Sequence, residues 1–556
     1  MAESEILTAL GVIFVGAGAT LLVTSRLPVS SLPLYILVGM AVSPFVDHTT
    51  LLDLARWGIA FLVFVLATRI EFEAVSSVFR DIELATLTQI AVVGPLGFGI
   101  GYFVFGLDLL SSVYFAVAGT LSSTLVGGKY FETSGGYRLI HDRLSSSIHL
   151  FDDLVAVGVL LVLSAETYSP DAVAANIGYG AVILLVAAFV YRYVFGLLVR
   201  LAEGSDELVL MGSISVLFVF LTAAEFSGVS PVVGAFAGGV AVRRDSTQTI
   251  DVFNGIQSIR DFFVTVFFVT LGALVEVPTF EVVVWAFSLV VLVLVVNPAI
   301  TVLALVYEGY DARTAHLVGA STDQVSEMSL IIAIEGFLVG SLGADVFDSI
   351  IIAASVTMIL TSVVRSYERS FYEDVAESLI PGRQMEKIDR RSHVEDVSNH
   401  VVVVGYGRQG RYITQVCERH DRDYVVVEND PLLWDEIRLT SGSYVFGDAL
   451  TDYSWEKAEI TDADLVVSTA DNPETSEKIL GLDTSADVVL RSRSVENARR
   501  WLDEGATYVA VPDLVASEQL IDHVESVVGG EKDADELRDS HLREILKSGL
   551  RNVSRG

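Results

Sequence analysis

Apolar stretches fill the chain from about residue 5 to residue 364, each near the 20 or so residues that cross a bilayer as helix. The pattern predicts some thirteen spans: 5–24, 32–47, 54–69, 84–106, 110–128, 145–165, 172–198, 206–224, 229–242, 262–276, 279–306, 315–338 and 344–364. Beyond residue 400 the rhythm shortens. His400-Val-Val-Val-Val404, Tyr424-Val-Val-Val-Glu428, Tyr444-Val-Phe-Gly-Asp448, Leu465-Val-Val-Ser-Thr469, Val488-Val-Leu-Arg-Ser492 and Tyr508-Val-Ala-Val-Pro512 predict buried strands alternating with helices. The expected architecture is a polytopic α-helical membrane domain over 1–368, a charged linker over 369–399, a Rossmann-like α/β domain over 400–525 and a charged tail over 526–556.

Charge supports the span pattern independently. Arg26, Arg69 with Arg80, Lys129 with Arg138 and Arg143, Arg200, Arg243 with Arg244 and Arg260, Arg313, then Arg365 with Arg369 follow alternate spans. The loops between them carry acids such as Asp47, Asp108, Glu166, Asp171 and Glu225, with Arg56 the exception. By the positive-inside rule the N-terminus lies outside and the C-terminal domain in the cytoplasm. No basic n-region precedes the first apolar run, so no cleavable signal peptide is expected.

Of 556 residues 52% are hydrophobic, and mean hydropathy is +0.54, yet net charge is −34. More than half of the acids lie from Arg365 onward. Such a surface repels phosphate, which argues against a nucleic-acid partner, and its excess of carboxylate predicts adaptation to high salt. A single cysteine, Cys417, excludes a disulfide framework and a cysteine metal cluster.

Against this apolar background Asp152 and Asp153 stand out, inside Ser145-Ser-Ser-Ile-His-Leu-Phe-Asp-Asp-Leu-Val-Ala-Val-Gly158. An ionisable group at mid-membrane depth costs roughly 2.5–3.5 kcal/mol, so a pair there faces a wet cavity and binds a cation or protons. Two other spans are interrupted by small and polar residues: Gly119-Thr-Leu-Ser-Ser-Thr124 before Gly127-Gly128, and Gly319-Ala-Ser-Thr-Asp-Gln-Val-Ser-Glu327. Broken helices at matching positions in two halves are where inverted-repeat transporters hold ions. Close helix packing by Ser and Thr is the plainer reading of either stretch alone.

Thr120-Leu-Ser-Ser-Thr124, Phe151-Asp-Asp-Leu-Val-Ala156, Phe267-Phe-Val-Thr-Leu-Gly272 and Gln324-Val-Ser-Glu-Met328 together resemble the Kef-type branch of the monovalent cation:proton antiporters. The resemblance implies a homodimer with an NhaA/NapA-like core of inverted repeats, whose fifth and twelfth spans cross as broken helices and whose core moves like an elevator. It makes Asp153 the ion- and proton-binding carboxylate. Asp152 stands where potassium exporters carry Gln and sodium antiporters carry Asp. Glu327 and Thr124 match the acid of the twelfth span and the hydroxyl of the fifth, with Ser123 alongside. Asn297 occupies the place of a Lys that, in electrogenic relatives, pairs with the first Asp of the doublet. The Asp pair therefore holds Na+ or K+, and the proton stoichiometry stays open. Glu71 and Glu73 read as solvated loop acids, Arg260 and Asp261 as an interfacial pair, and His149 as a packed polar residue or a pH sensor.

In the C-terminal region, His400-Val-Val-Val-Val-Gly-Tyr-Gly-Arg-Gln-Gly410 is a strand running into a glycine-rich turn, and Glu428 ends a second strand about 20 residues on. The glycines let backbone approach a pyrophosphate, and Glu428 accepts from ribose hydroxyls while repelling a 2′-phosphate. NAD(H) or an adenosine nucleotide is the expected ligand. The region resembles the TrkA-N, or regulator-of-potassium-conductance (RCK), domain. That likeness places Gly405, Gly407, Arg408, Gly410, Glu428, Asp448, Ala449 and Thr469 around the nucleotide. Val404-Gly-Tyr-Gly407 mimics a potassium filter, but it lies outside the spans. No substrate domain or catalytic constellation follows, so the domain is expected to sense and the chain is not expected to be an enzyme. The sequence thus points to a plasma-membrane Na+ or K+/proton antiporter regulated by nucleotide. A Kef-like potassium efflux system and a nucleotide-gated channel are the alternatives.

Overall fold

A computed structural model describes residues 2–24, 30–43, 48–68, 79–123, 140–165, 168–202, 205–242, 250–308, 310, 312–365, 390–395, 397–430, 433–470 and 472–529, with positions 535, 537–538 and 541–542 of the tail. These residues form two compact units, a helical one and an α/β one.

The helical unit runs α1 (Ala2–Thr24), α2 (Ser31–Val42), α3 (His48–Thr68), α4 (Phe79–Gly99), α5 (Leu109–Thr120), α6 (Ile140–Leu163), α7 (Pro170–Phe189), α8 (Asp206–Phe226), α9 (Pro231–Ala241), α10 (Ile250–Leu274), α11 (Phe280–Val291), α12 (Asn297–Tyr307), α13 (Ala312–Ala320), α14 (Glu327–Leu338) and α15 (Ala344–Arg365). Short polar caps fix many of the starts. Asp108 accepts from the Ser111 N–H, and Ser169 and Ser230 cap helices whose first residue is Pro170 or Pro231. Among the described residues six helical stretches are long and apolar enough to cross a membrane: 85–104, 144–163, 170–201, 206–226, 280–307 and 344–364. Shorter apolar helices cover 11–22, 31–42, 55–68, 109–120 and 231–241. The predicted spans 110–128 and 315–338 are both broken, the first ending its helix at Thr120 and the second divided between α13 and α14.

Helices α2, α3 and α8–α10 pack into one group. At the crossing of α2 with α10 the backbones touch. A Cβ on Gly39 would lie 2.0 Å from the Val269 carbonyl oxygen, and one on Gly272 would lie 1.9 Å from that of Ile36. Helices α4–α6 and α11–α15 form the surroundings of the Asp pair. The helix from Phe280 to Tyr307 passes through a π-turn, Leu292–Val296, immediately before Asn297 and Pro298. Such a turn re-aims the following side chains.

The α/β unit is a six-stranded parallel sheet in the order β3-β2-β1-β4-β5-β6. Its strands are β1 (His400–Val404), β2 (Tyr424–Glu428), β3 (Tyr444–Phe446), β4 (Ala463–Ser468), β5 (Asp487–Arg491) and β6 (Tyr508–Ala510). Strand β1 pairs with β2 through Val402↔Val425 and with β4 through Val402↔Val466, and all five β1 residues are buried. A sheet covered by helices on both faces needs such continuous apolar strands. The end of the expected linker joins this unit. His393 exchanges two backbone hydrogen bonds with Tyr444, of 2.9 and 2.6 Å, so Arg391–Glu395 lies along the outer edge of β3.

Candidate ion and nucleotide sites

Helix α5 stops at Thr120 because Leu121 turns extended, and the chain continues through Ser122 and Ser123. Helix α13 stops at Ala320, and the chain resumes helix only at Glu327. The two breaks cross. Ser122 and Val325 form an antiparallel β-bridge, and the Ser326 N–H donates to the Leu121 carbonyl at 3.2 Å. Freed helix-end groups are thereby satisfied inside protein, as backbone at membrane depth requires.

Asp152 on α6 is fully buried against this crossing. Its Oδ2 accepts from the Ser122 N–H at 2.9 Å and from the Ser122 hydroxyl at 2.5 Å. Its carboxylate also meets the Gln89 side-chain amide. The same Ser122 hydroxyl lies 3.2 Å from His149 Nδ1, which links the histidine to the carboxylate through one oxygen. Asp153 is 7% exposed. Glu327 opens α14 and is buried, and Ser123 donates its hydroxyl to the Glu327 carboxylate. Gln324 Nε2 donates to the carbonyl oxygens of Ser123 and Ser321. Thr124, Gly127, Gly128, Glu71 and Glu73 lie outside the described residues.

Asn297 is fully buried, and its amide goes to backbone. Nδ2 donates to Thr120 O at 3.3 Å and to Thr322 O at 3.1 Å, one carbonyl from each break. Gln89 on α4 donates to the same Thr120 oxygen at 2.6 Å. Helix α4 and the helix from Phe280 to Tyr307 thus each send an amide to the crossing. Ser122, Gln89 and Thr322 were not singled out in the sequence. An amide inside the apolar 84–106 window was the available signal for Gln89; nothing distinguished Ser122 from the neighbouring hydroxyls.

Among the described residues three amide oxygens here are buried without hydrogen-bond partners: Gln89 Oε1, Asn297 Oδ1 and Gln324 Oε1. Orphaned acceptors are costly in a protein interior.

In the α/β unit the candidate nucleotide residues converge on the carboxyl ends of the strands. Gly405 has φ +88°, and a Cβ there would lie 2.7 Å from Thr469 Oγ1. A Cβ on Gly410 would lie 2.0 Å from the Gly405 carbonyl oxygen, whereas around Gly407 nothing stands within 4 Å. The turn is tight on its inner side and open on its outer one, at the N-terminus of the helix Arg408–Arg419. Arg408 is exposed there. Chains diverge from β1 in opposite directions to β2 and β4, so Gly405 and Thr469 flank the switch point of the sheet. The Thr469 hydroxyl lies 3.1 and 3.2 Å from the Val404 and Gly405 carbonyl oxygens.

Glu428 binds the turn directly. Its Oε2 accepts from the Tyr406 N–H at 2.6 Å, and its Oε1 accepts from the N–H groups of Asn429 and Asp430, both at 2.8 Å. Burial raises its carboxyl above the ordinary range, and these N–H groups pull it partly back. Each carboxylate oxygen has two acceptor positions, so Oε2 retains one for a ribose hydroxyl. Asp448 Oδ1 accepts from the Leu450 N–H at 2.9 Å, and the buried Ala449 accepts from the Trp455 indole at 2.6 Å.

The sodium/hydrogen exchanger transmembrane family matches residues 10–366, and the TrkA-N domain matches residues 401–512. The protein named cation/proton antiporter YbaL of Escherichia coli (strain K12) is 23% identical over 535 residues, covering 92% of this chain and 95% of that one. The protein named K(+) efflux antiporter KefB of Alkalimonas amylolytica is 22% identical, covering 88% of this chain and 77% of that one. The structure of the sodium proton antiporter MjNhaP1 from Methanocaldococcus jannaschii aligns with 68% of this chain and 100% of its own, at 15% identity and a TM-score of 0.48. The family match covers more than half of the sequence: this chain belongs to the sodium/hydrogen exchanger transmembrane family, with a C-terminal TrkA-N domain.

Proposed function

We propose that the chain exchanges Na+ or K+ for protons at Asp152 and Asp153, and that a nucleotide on the TrkA-N domain regulates the exchange. The observation that carries this reading is the fully buried Asp152, a carboxylate at the crossing of the two broken helices, held there by Ser122 and beside the Gln89 amide. Proton and cation compete for the same carboxylate oxygens, so one species leaves as the other arrives. Ser122, Ser123, Asn297 and Glu327 fix the crossing around the pair, and Thr124 belongs to the same motif. A carbonyl-braced Asn297 carries no proton, which favours the Asp pair as the proton carrier.

The surface acids and the arginine periodicity support a multi-pass protein of the plasma membrane, with its N-terminus outside, its TrkA-N domain in the cytoplasm and a saline setting. A homodimer follows from the resemblance to the Kef-type antiporters. For the regulatory half, Gly405, Gly407, Gly410 and Glu428 suit NAD(H) or an adenosine nucleotide, with Asp448, Ala449 and Thr469 along the crevice and Arg408 near the phosphates. A ligand biases transport only through differential affinity for working and idle states.

The test is flux in proteoliposomes, driven by Na+ and K+ in turn with the current recorded. Obligatory proton counter-movement is expected, abolished in Asp153→Asn. Cation leak without proton movement defeats the reading, as does full exchange by the variant.

A further inference from the structure

Away from the Asp pair, a cavity of about 620 Å³ opens between α1, α2 and α10. Its walls are apolar: Phe14, Leu21, Leu32 and Phe262 line it, and Phe14 stacks on Phe262 with ring centroids 4.9 Å apart. Gly18 leaves one wall open, since a Cβ there would meet nothing within 4 Å. Phe14, Leu21 and Phe262 are 37, 53 and 44% exposed.

One charge group marks one end. Arg260 is 12% exposed at its side chain and lines the cavity with Asp261. Its Nε and Nη2 both donate to a single oxygen, Asp261 Oδ1, at 2.9 and 2.5 Å. A guanidinium carries five N–H donors, so three remain for a second partner, and the planar fork suits a phosphate. Asp261 is 68% exposed and pairs with a neighbour on its own helix, where it competes weakly. Depth fits as well. The last turns of α1, the first turn of α2 with Ser31, and Arg260 just before the expected tenth span all meet at the cavity.

We propose that this cavity holds one membrane phospholipid, its phosphodiester on Arg260 and an acyl chain along Gly18, Leu21 and Leu32, against the outer side of the Phe14–Phe262 stack. Membrane supplies this ligand at high local concentration, and its amphipathic form matches an apolar slot ended by a guanidinium. The proposal does not depend on the transport reading.

Native mass spectrometry of the full-length protein tests it after delipidation in detergent, with phosphatidylglycerol added back stepwise. The wild type is expected to retain one phospholipid per chain. Arg260→Gln removes the phosphate contact, and Gly18→Leu fills the slot without touching the arginine. Each should need about tenfold more lipid for the same occupancy, equivalent to about 1.4 kcal/mol. Monodisperse elution and unchanged helical circular dichroism check folding. Equal retention by both variants overturns the proposal. So does inorganic phosphate that competes as well as phospholipid, or diacylglycerol that binds equally well.

Discussion

Asn297 and Gln89 converge on one carbonyl, which makes their effects on stability non-additive in a calculable way. In Asn297→Leu the Thr322 oxygen loses the one donor it has among the described residues, while Thr120 keeps the Gln89 amide. A buried carbonyl left unsatisfied costs about 1–3 kcal/mol. In Gln89→Leu Thr120 keeps Asn297, so one net hydrogen bond of about 0.5–1.5 kcal/mol disappears at that carbonyl, and the amide contact to Asp152 goes with it. The double variant strips Thr120 of both amides. It should therefore lose about 0.5–1.5 kcal/mol beyond the sum of the singles, the cost of the second orphaned carbonyl less the net hydrogen bond already counted for Gln89→Leu. At roughly 2–4 °C per kcal/mol, the extra fall in apparent Tm is a few degrees, readable by tryptophan fluorescence of detergent-purified protein. Leucine keeps the volume near that of either amide, so cavity formation contributes little. Additivity within about 0.5 kcal/mol refutes the shared-carbonyl brace, and so does an Asn297→Leu variant as stable as the wild type.

Further expectations are simpler. Ser122→Ala removes the 2.5 Å hydroxyl contact from Asp152 and disconnects His149, so the pH profile of exchange should shift while the chain still folds; an unmoved profile removes Ser122 from the site. Gly410→Val places side-chain atoms against the Gly405 carbonyl and should abolish adenine-nucleotide binding by the full chain in calorimetry; retained affinity contradicts the glycine-turn assignment. Glu428 has a folded-state carboxyl raised above its ordinary value, so ionising it opposes folding. Its contribution to stability is present at low pH and is lost as pH rises from the ordinary glutamate range through the raised value. Glu428→Gln should flatten that part of the Tm–pH curve of the α/β transition, and it should narrow the preference for NAD over NADP in competition binding.

The division into a helical and an α/β unit was legible because the two solvents impose different apolar run lengths. Strands β1 and β2 and the glycine turn could be read almost residue by residue, since Gly405 and Gly410 are dictated by a positive φ and a 2.0 Å approach. The Asp pair was legible because a charge inside an apolar helix is conspicuous. Its dressing was not. Ser122 meets Asp152 across 30 residues, and Ser123 meets Glu327 across 204, so no local pattern couples them. Asn297 was noticed for the lysine it replaces, but its direction depends on the π-turn before it, which leaves no signature in Leu292-Val-Leu-Val-Val296. Likewise, the pairing of His393 with Tyr444 was hidden in a segment whose composition reads as linker.

The bridge between Ser122 and Val325 also bears on biosynthesis. Its two strands leave the ribosome some 200 residues apart, and Asp152 is made long before Val325 and Glu327. A nascent chain that has inserted only as far as α6 therefore carries its carboxylates into the membrane without the wall that later closes over them. The site proposed for exchange is therefore complete only once α14 has been made.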